Sequence, residues 1–290
     1  MLKVYRSMAS LAALLALTSC VGTGTGLHNS SKIFTPPSEM KRSDWSDAAE
    51  MERTWLAARV RIPKPGGAYI RATMEELLGG SHTIAGTWPT VIYLHGCSGV
   101  WSGTYARINF LARNGYAVIA PVSFARKKYP RSCNTDRHQG GLYRSTLYMR
   151  QNDAGYAIAK AKALPWVDNH NVFLMGLSQG GITTATFSST DAEASVQARI
   201  VEGWTCHAGW PEYSGLSAPE TEPVLTLVGS KDPWFQNRWT KGDCTKFIEP
   251  SNGSKSVVYS TGYLSGRHEL LESREVQETV LEFLEQHRSR

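Results

Sequence analysis

One short segment in the second half of the chain has the composition of a turn that presents a nucleophile. Residues 176–180 read Gly-Leu-Ser-Gln-Gly, a G-x-S-x-G pattern. An apolar run at 172–175 comes directly before it, and a segment with helical character comes directly after it. Small residues beside the serine allow the tight strand-to-helix turn that lifts a serine hydroxyl above the edge of a sheet. The pattern therefore predicts that Ser178 is the nucleophile of an acyl-transfer reaction.

A serine nucleophile needs a base that takes its proton and an acid that orients the base, and the later sequence contains both. Asp232 lies in a loop after an apolar run, and His268 lies in a loop before the last amphipathic segment. The order Ser, Asp, His along the chain is that of α/β-hydrolases. We therefore predict a catalytic triad of Ser178, Asp232 and His268. Asp243 and Glu202 are alternative acids, and the competing interpretation of Asp232 and His268 is a turn aspartate and a solvated loop histidine.

A second motif follows an earlier apolar run. Residues 90–94 have the β-branched composition of a buried strand, and residues 95–99 read His-Gly-Cys-Ser-Gly. The His-Gly pair resembles the oxyanion loop of hydrolases and lipases, where backbone N–H groups stabilise the developing oxyanion. This resemblance implies an oxyanion hole formed by the N–H groups of Cys97 and Gln179, with His95 as structural support. The remaining histidines show no catalytic pattern, and we expect surface or structural roles for His82, His138, His170, His207 and His287.

Aromatic residues are concentrated in the loops expected at the same edge of the sheet. Trp101, Trp204 and Trp234 are the residues that we expect to contact a substrate. Ordinary core and loop packing is the alternative for some of these aromatic side chains. The segment at 123–143 has room to form a modest rim around the site. Three further aromatic residues lie in the same loops: Trp210, Phe235 and Trp239.

The elements that would position these residues alternate between strands and helices. Apolar runs typical of strands lie at 59–62, 69–72, 90–94, 116–120, 171–177, 198–204, 224–228 and 257–259. Helical spacing of apolar residues occurs at 105–112, 145–164 and 276–284. Alternation of this kind favours a mostly parallel sheet with helices on both faces, and the first two runs are expected to form an antiparallel opening. The predicted fold class is α/β, with the layout of an α/β-hydrolase.

Four motifs together resemble the dienelactone hydrolase-like branch of the α/β-hydrolases. They lie at 95–99, 176–181, 229–232 and 266–268, and the resemblance covers roughly residues 85–285. Dienelactone hydrolase itself has a cysteine at the elbow, where this chain has Ser178. This departure favours a general carboxylic-ester hydrolase over an enzyme that opens the family's lactone substrate. The resemblance also implies a structural role for Asp153, within the predicted helix at 145–164.

Four of the five cysteines lie within the region of alternating strands and helices: Cys97, Cys133, Cys206 and Cys244. An even number in an exported protein favours two disulfide bonds, which allows three connectivities. Cys97 and Cys133 follow neighbouring strands of the predicted layout. Cys206 follows another strand, and Cys244 lies just beyond the loop that contains Asp232. We therefore favour the pairs 97–133 and 206–244. A zinc site at Cys206 and His207 is the alternative, but the chain has no C-x-x-C spacing.

The N-terminus has the pattern of a bacterial export signal. A basic start at Lys3 and Arg6 precedes an uncharged apolar run, and Leu-Thr-Ser-Cys, ending at Cys20, resembles a lipobox. An apolar run this short is typical of a signal peptide, since a membrane-spanning helix needs about 20 apolar residues. An ordinary secretory signal is the alternative, and both place the mature chain in the cell envelope, lipid-anchored or periplasmic. The predicted organisation is a signal peptide at 1–19, lipidation of Cys20, a flexible tether at 20–45 and one catalytic domain at 46–290.

The composition narrows the classes of function. The 290 residues include 31 Lys and Arg and 25 Asp and Glu, a formal net charge of +6, and the basic residues are scattered apart from a run at 126–128. That run is typical of a solvated loop, so we expect no nucleic-acid partner. No metal, nucleotide or flavin motif is present, so no cofactor is expected. The main prediction is a serine hydrolase acting on a small-molecule carboxylic ester; the alternatives are a peptidase or thioesterase of the same fold and a non-catalytic envelope lipoprotein.

Overall fold

A computed structural model describes residues 33–188 and 192–289. The predicted signal peptide, Cys20 and the first part of the predicted tether lie outside the described residues. The strands are β1 (Arg59–Pro63), β2 (Tyr69–Thr73), β3 (Trp88–Leu94), β4 (Ala117–Ala120), β5 (Cys133–Asn134), β6 (Gln139–Gly140), β7 (Val167–Leu177), β8 (Arg199–Glu202), β9 (Val224–Gly229) and β10 (Lys255–Tyr259). The α-helices are α1 (Ala48–Leu56), α2 (Met74–Leu78), α3 (Ser102–Arg113), α4 (Thr146–Lys162), α5 (Gln179–Thr186) and α6 (Arg274–Gln286).

Within these ranges, eight strands form one sheet in the order β10-β9-β8-β7-β3-β4-β1-β2. The strands from β10 to β4 run parallel to their neighbours, whereas β1 is antiparallel to both β4 and β2. Parallel neighbours need crossover connections, and helices supply them between most of these strands. The sheet confirms the predicted α/β fold class and the predicted antiparallel opening.

Alternate residues of the central strands pack into two hydrophobic layers on opposite faces of the sheet. In β3, Val91 and Tyr93 belong to the layer that contains α3 and α6, whereas Ile92 and Leu94 belong to the layer that contains α1 and α4. The alternation follows from the pleat of a strand, whose successive side chains point to opposite faces. Because both faces of the sheet are covered, the strands are continuous apolar runs, and such runs are what predicted these strands from the sequence.

The described end of the predicted tether lies against the domain instead of extending away from it. The ring of Phe34 contacts the ring of Phe124, with centroids 5.7 Å apart. The buried guanidinium of Arg126 donates hydrogen bonds to the backbone carbonyls of Asp44 at 2.8 Å and Trp45 at 3.2 Å. Apolar packing and buried hydrogen bonds therefore make this part of the segment a surface layer of the folded domain. None of the helices in the described ranges has both the length and the apolar character needed to cross a membrane.

Two disulfide bonds tie together loops at the carboxyl-terminal edge of the sheet. Cys97 is bonded to Cys133, and Cys206 is bonded to Cys244, which confirms the pairs favoured from the sequence. The sulfur of Cys206 is therefore not free as the thiolate that a zinc site would require. In the part of the chain that the structure describes, no group of three or more His, Cys, Asp or Glu side chains is arranged to hold a metal ion.

Candidate active site

The turn between β7 and α5 holds Ser178 in a strained backbone conformation. Its φ of 57° and ψ of −118° lie in a region that residues with a side chain rarely adopt. The two glycines at 176 and 180 are required because there is no room for a Cβ atom at either position. A Cβ at Gly176 would meet the carbonyl of Gly180 at 2.3 Å, and a Cβ at Gly180 would meet the carbonyl oxygen of Leu94 at 2.0 Å. The turn therefore has the geometry of a nucleophile elbow, which keeps the serine at the edge of the sheet.

The carboxylate of Asp232 holds the imidazole of His268. Nδ1 of His268 lies 2.7 Å from Oδ2 of Asp232, and Oδ1 of this buried carboxylate accepts the backbone N–H of Trp234 at 3.0 Å. Because the carboxylate is an acceptor, it fixes the imidazole proton on Nδ1 and leaves Nε2 as the basic nitrogen. Nε2 has no hydrogen-bond partner among the described residues. The imidazole is thus oriented by the carboxylate at Nδ1, and its Nε2 is buried without a hydrogen-bond partner in the described part of the chain.

Aromatic packing restricts the orientation of the same imidazole. The ring of Trp234 stacks on that of His268, with centroids 5.2 Å apart and planes at 27°, and the ring of Phe235 lies 5.6 Å away. Both aromatic residues directly follow Asp232 and Pro233 in the loop after β9. One loop therefore supplies the carboxylate and two packing surfaces for the histidine.

Two backbone N–H groups beside Ser178 are available to a ligand. Gln179 is the first residue of α5, and the N–H groups of a helix's first turn have no acceptor within the helix. Cys97 lies in the turn that follows β3. Neither N–H donates to a backbone oxygen in the described ranges, and both residues line the cavity at Ser178. The two residues predicted for an oxyanion hole therefore lie together at the site.

His95 is buried and supports the turn that contains Cys97. Its Nε2 accepts the backbone N–H of Ser123 at 3.2 Å, so the proton is on Nδ1, which donates to the carbonyl of Gly96 at 2.7 Å. Burial and the neighbouring Arg150 guanidinium hold the pKa of His95 well below its ordinary value. His95 is therefore a neutral structural residue, in agreement with the expectation from the sequence.

Asp153 extends this support beneath the turn that contains Cys97, which is the turn predicted to form the oxyanion hole (the oxyanion turn). Its carboxylate accepts the hydroxyl of Ser123 at 2.7 Å and forms a buried ion pair with Arg126, in which Nη2 lies 2.6 Å from Oδ1. Arg126 also holds the backbone at 44–45, as described above. A continuous hydrogen-bonded chain therefore runs from the N-terminal surface layer through Asp153 and Ser123 to His95. This arrangement agrees with the structural role expected for Asp153.

The two alternative acids are occupied by other partners. The carboxylate of Glu202 accepts hydrogen bonds from Arg107 at 2.9 and 2.7 Å, and its Oε1 also accepts the N–H groups of Leu270 and Leu271. The carboxylate of Asp243 accepts the backbone N–H two residues further along its own turn, at 2.7 Å. Glu202 therefore anchors the backbone that follows His268, and Asp232 is the acid that contacts the imidazole.

Two cavities meet at Ser178. The larger has a volume of about 490 Å³ and includes Trp204 and Trp234 in its wall. The smaller, of about 370 Å³, includes Trp101, Trp234 and His268. The three tryptophans predicted to contact a substrate therefore line the cavities at the elbow. The larger cavity is lined by further aromatic residues, which the sequence had placed in the same loops: Trp210, Phe235 and Trp239.

Sequence reasoning missed some of the lining residues, above all His138. We expected a surface or structural role for it, but it lines both cavities, and its ring lies 5.4 Å from that of Trp234. His138 lies in the turn of the small hairpin β5–β6, which the disulfide of Cys133 ties to the oxyanion turn. Strands of two residues carry no periodic signal, so only the position of Cys133 in the expected rim indicated that this segment reaches the site. Glu269 was missed as well, although it is next to His268 in the sequence.

Comparison with known proteins agrees with this architecture. The model of the dienelactone hydrolase family matches residues 74–259. A dienelactone hydrolase-type protein from Klebsiella pneumoniae subsp. pneumoniae MGH 78578 has 18% sequence identity and a TM-score of 0.52, over 70% of this chain and 89% of that one. Est1E from Butyrivibrio proteoclasticus, solved with ferulic acid, has 15% identity and a TM-score of 0.50, over 79% of this chain and 94% of that one. No curated protein matches the chain.

The sheet, the elbow and the family match define the class of this protein. The strand order and the sharp β7–α5 turn are those of the α/β-hydrolase fold, which the two solved structures share with it. The matched region extends from α2 to the end of β10 and includes Ser178 and Asp232. The chain belongs to the dienelactone hydrolase family, a family of hydrolases.

Proposed function

We propose that this protein is a serine hydrolase that cleaves carboxylic esters. The observation that carries the proposal is the cavity shared by Ser178 and His268. The serine stands in a strained elbow, and the imidazole presents an unpaired Nε2 while Asp232 holds its Nδ1. In this reaction Ser178 is the nucleophile, His268 is the general base, and Asp232 stabilises the imidazolium that forms.

The first half-reaction transfers the acyl group to the enzyme. Nε2 of His268 takes the hydroxyl proton of Ser178 as Oγ forms a bond to the ester carbonyl carbon. The carbonyl oxygen becomes an oxyanion and accepts the N–H groups of Cys97 and Gln179, each of which contributes about 3 kcal/mol of transition-state stabilisation. His268 then gives the proton to the alcohol oxygen as the carbon–oxygen bond to the alcohol breaks. The products of this half-reaction are the free alcohol and an acyl-Ser178 ester.

The second half-reaction regenerates the enzyme. A water molecule takes the place of the alcohol, and His268 removes its proton as it attacks the acyl carbon. Collapse of the second oxyanion returns the proton to Ser178 and releases the carboxylic acid. One ester and one water are converted into one acid and one alcohol, with no cofactor in the balance.

Labelling of the full-length, detergent-solubilised protein with a fluorophosphonate probe tests the activated serine. We expect the probe mass on the peptide that contains Ser178 and no labelling of Ser178→Ala. Ser188→Ala, the same substitution at an exposed serine beyond the end of α5, is the matched control and should label normally. A folded, disulfide-bonded protein that does not label would rule out the proposed nucleophile.

A substrate panel then tests the proposed reaction. p-Nitrophenyl esters of increasing acyl length are compared with an acyl thioester and with peptides. Hydrolysis of the oxygen esters, abolished in Ser178→Ala, is the expected result. Turnover restricted to peptides or to thioesters would replace the ester assignment by a peptidase or a thioesterase, which use the same triad chemistry.

We also propose that the protein is exported and anchored to a membrane through lipid on Cys20. The proposal rests on the lipobox-like segment that ends at this residue. Intact-mass analysis of the protein from a bacterial membrane fraction should show cleavage before Cys20 and a lipid mass on the new N-terminus. Cys20→Ala should be released into the soluble fraction or retain its signal peptide. A mature N-terminus at another position would contradict the anchor.

A further inference from the structure

We propose that the two cavities divide the substrate at its ester bond. The larger cavity binds a bulky aromatic acyl group, and the smaller cavity binds a hydroxyl-bearing alcohol that Glu269 recognises. The substrate class is then an ester of an aromatic carboxylic acid with a polyol. This inference rests on the proposed hydrolysis at Ser178, and it specifies which substrate that site accepts.

The position of His268 decides which cavity receives which half of the ester. The alcohol oxygen must take a proton from Nε2 of His268, so the alcohol lies on the side of the imidazole. His268 lines the smaller cavity and is absent from the wall of the larger one. Gln179, which offers an N–H to the oxyanion, lines the larger cavity only. The acyl group therefore extends into the larger cavity and the alcohol into the smaller.

The chemistry of the larger cavity fits an aromatic acyl group. Two pairs of polar side chains in its wall are bonded to each other: Ser132 donates to Gln179 at 3.1 Å, and Asn237 donates to the hydroxyl of Thr240 at 2.7 Å. The remaining wall is mainly apolar and includes six aromatic side chains, and aromatic rings pack against one another by their faces and edges. A volume of about 490 Å³ leaves room for much more than an acetyl group. The aromatic side chains of this wall are Trp204, Trp210, Tyr213, Trp234, Phe235 and Trp239.

Ile182 is a residue of the larger cavity that is close to Ser178 in the fold. It lies one helical turn after Ser178 in α5, and its backbone N–H donates to the carbonyl of Ser178 at 2.8 Å. Its partly buried side chain lines the larger cavity and not the smaller. A larger side chain at this position therefore narrows the acyl cavity without entering the alcohol cavity.

The smaller cavity contains polar side chains that suit hydroxyl groups. Oε2 of Glu269 accepts a hydrogen bond from Arg107 at 3.0 Å, which leaves Oε1 as an acceptor for a ligand. Ser98 and Thr135 add hydroxyl groups to the same wall. Arg107 also pairs with Glu202, so one positive charge faces two carboxylates and the wall keeps a net negative charge. This charge favours hydroxyl donors and disfavours an alcohol that carries a carboxylate.

Three esters test the contributions of the acyl group and of the alcohol separately. Glyceryl 3-phenylpropanoate is compared with glyceryl monoacetate, which changes only the acyl group, and with methyl 3-phenylpropanoate, which changes only the alcohol. For the wild-type protein we expect kcat/KM to be at least about tenfold higher for the aromatic acyl group than for acetyl. We expect a similar preference, about tenfold, for glyceryl over methyl, the effect of a hydrogen bond to a charged acceptor.

Two variants assign each preference to its cavity. Ile182→Trp should lower the acyl preference at least about tenfold, with Ile182→Phe as a smaller step in the same direction. Glu269→Met should lower the glyceryl preference about tenfold, because it removes the carboxylate acceptor at similar side-chain length. Glu272→Gln is the matched control, since this exposed glutamate pairs with Arg267 and lines neither cavity, and it should keep both preferences. Fluorophosphonate labelling of Ser178 verifies that each variant retains a folded site.

The outcomes distinguish this inference from the proposed function. Hydrolysis of all three esters at similar rates would overturn the division of the cavities and leave the esterase in place. The reverse pattern, in which Ile182→Trp changes the glyceryl preference and Glu269→Met changes the acyl preference, would also overturn it. If the wild-type protein neither hydrolyses an ester nor labels at Ser178, the proposed function fails as well.

Discussion

Ser123 donates its backbone N–H to Nε2 of His95 at 3.2 Å, and this hydrogen bond makes the buried imidazole a neutral acceptor. Protonation of Nε2 would place a hydrogen against that N–H and a positive charge near Arg150. Burial and the charge of Arg150 therefore hold the pKa of His95 below its ordinary value. The turn that carries Cys97 thus depends on a histidine that has to stay neutral.

This relationship predicts a pH dependence of stability. Because the pKa of His95 is lower in the folded state, the unfolded state binds more protons below about pH 6.5. The contribution of His95 is fully present above that pH, and the free energy of unfolding decreases below it by up to about 1.4 kcal/mol per pH unit. Urea denaturation of the wild-type protein and His95→Gln between pH 7.5 and 5 measures the difference. The wild-type slope should be steeper, and equal slopes would contradict a neutral His95.

The contact between Asp232 and His268 predicts a large loss of activity without a loss of fold. In Asp232→Asn the amide can still accept the N–H of Trp234, but its NH₂ group faces Nδ1 and moves the imidazole proton to Nε2. With its basic nitrogen protonated, His268 cannot take the serine proton, and we expect kcat to fall about 10⁴-fold. Steady-state ester hydrolysis measures the effect. Asp243→Asn is the control, and a similar loss in that variant would mean that the acid has been misassigned.

The disulfide of Cys97 and Cys133 should matter for both stability and activity. The two disulfides close loops of similar size, with sequence separations of 36 and 38 residues, so each should contribute about 4 kcal/mol to the free energy of unfolding. Only the first joins the oxyanion turn to the hairpin that lines the cavities. Replacing both cysteines of that pair by serine should therefore also lower kcat/KM, by about 10²-fold through displacement of the Cys97 N–H.

The second disulfide is the matched control for this prediction. Replacing Cys206 and Cys244 by serine should cost a similar amount of stability, measured by denaturant unfolding, and should lower kcat/KM much less. Equal losses of activity in the two double variants would show that the first disulfide has no special role at the oxyanion turn.

The buried ion pair of Arg107 and Glu202 predicts a larger effect on stability than an exposed ion pair has. Burial acts to raise the pKa of Glu202, but Arg107 outweighs it and holds the pKa below its ordinary value. Glu202→Gln removes the fully buried partner of this guanidinium, leaves it only the partly exposed Glu269, and weakens the acceptor of the Leu270 and Leu271 N–H groups, so the free energy of unfolding should fall by about 3 kcal/mol. Glu212→Gln, which breaks the exposed pair with Arg144, should cost less than about 1 kcal/mol. Equal effects in urea denaturation would refute this assignment of the buried pair.

Much of the fold was predictable because both faces of the sheet are covered. Strands such as β3 and β9 are then continuous apolar runs, and their boundaries differ from the predicted ones by a residue or two. The turn at Ser178 was predictable for a local reason, since its glycines occupy positions where a Cβ would collide with backbone. The placement of the hairpin β5–β6 at the site and the packing of Phe34 depend on contacts distant in sequence, so no local pattern indicated them.

By itself, the sequence determined the order of the strands and helices, the elbow, the acid and histidine that follow it, and the set of cysteines. These features are encoded by local composition and spacing, which act over a few residues. Only the tertiary structure decided that Asp232 contacts His268 and that Glu202 forms an ion pair with Arg107. It also decided that His138 and Glu269 line a cavity together with Ser178. Those relationships arise because parallel strands bring the loops at their carboxyl ends to one edge of the sheet. The neighbours that a loop meets there depend on the order of strands in the sheet, which differs from their order in the chain.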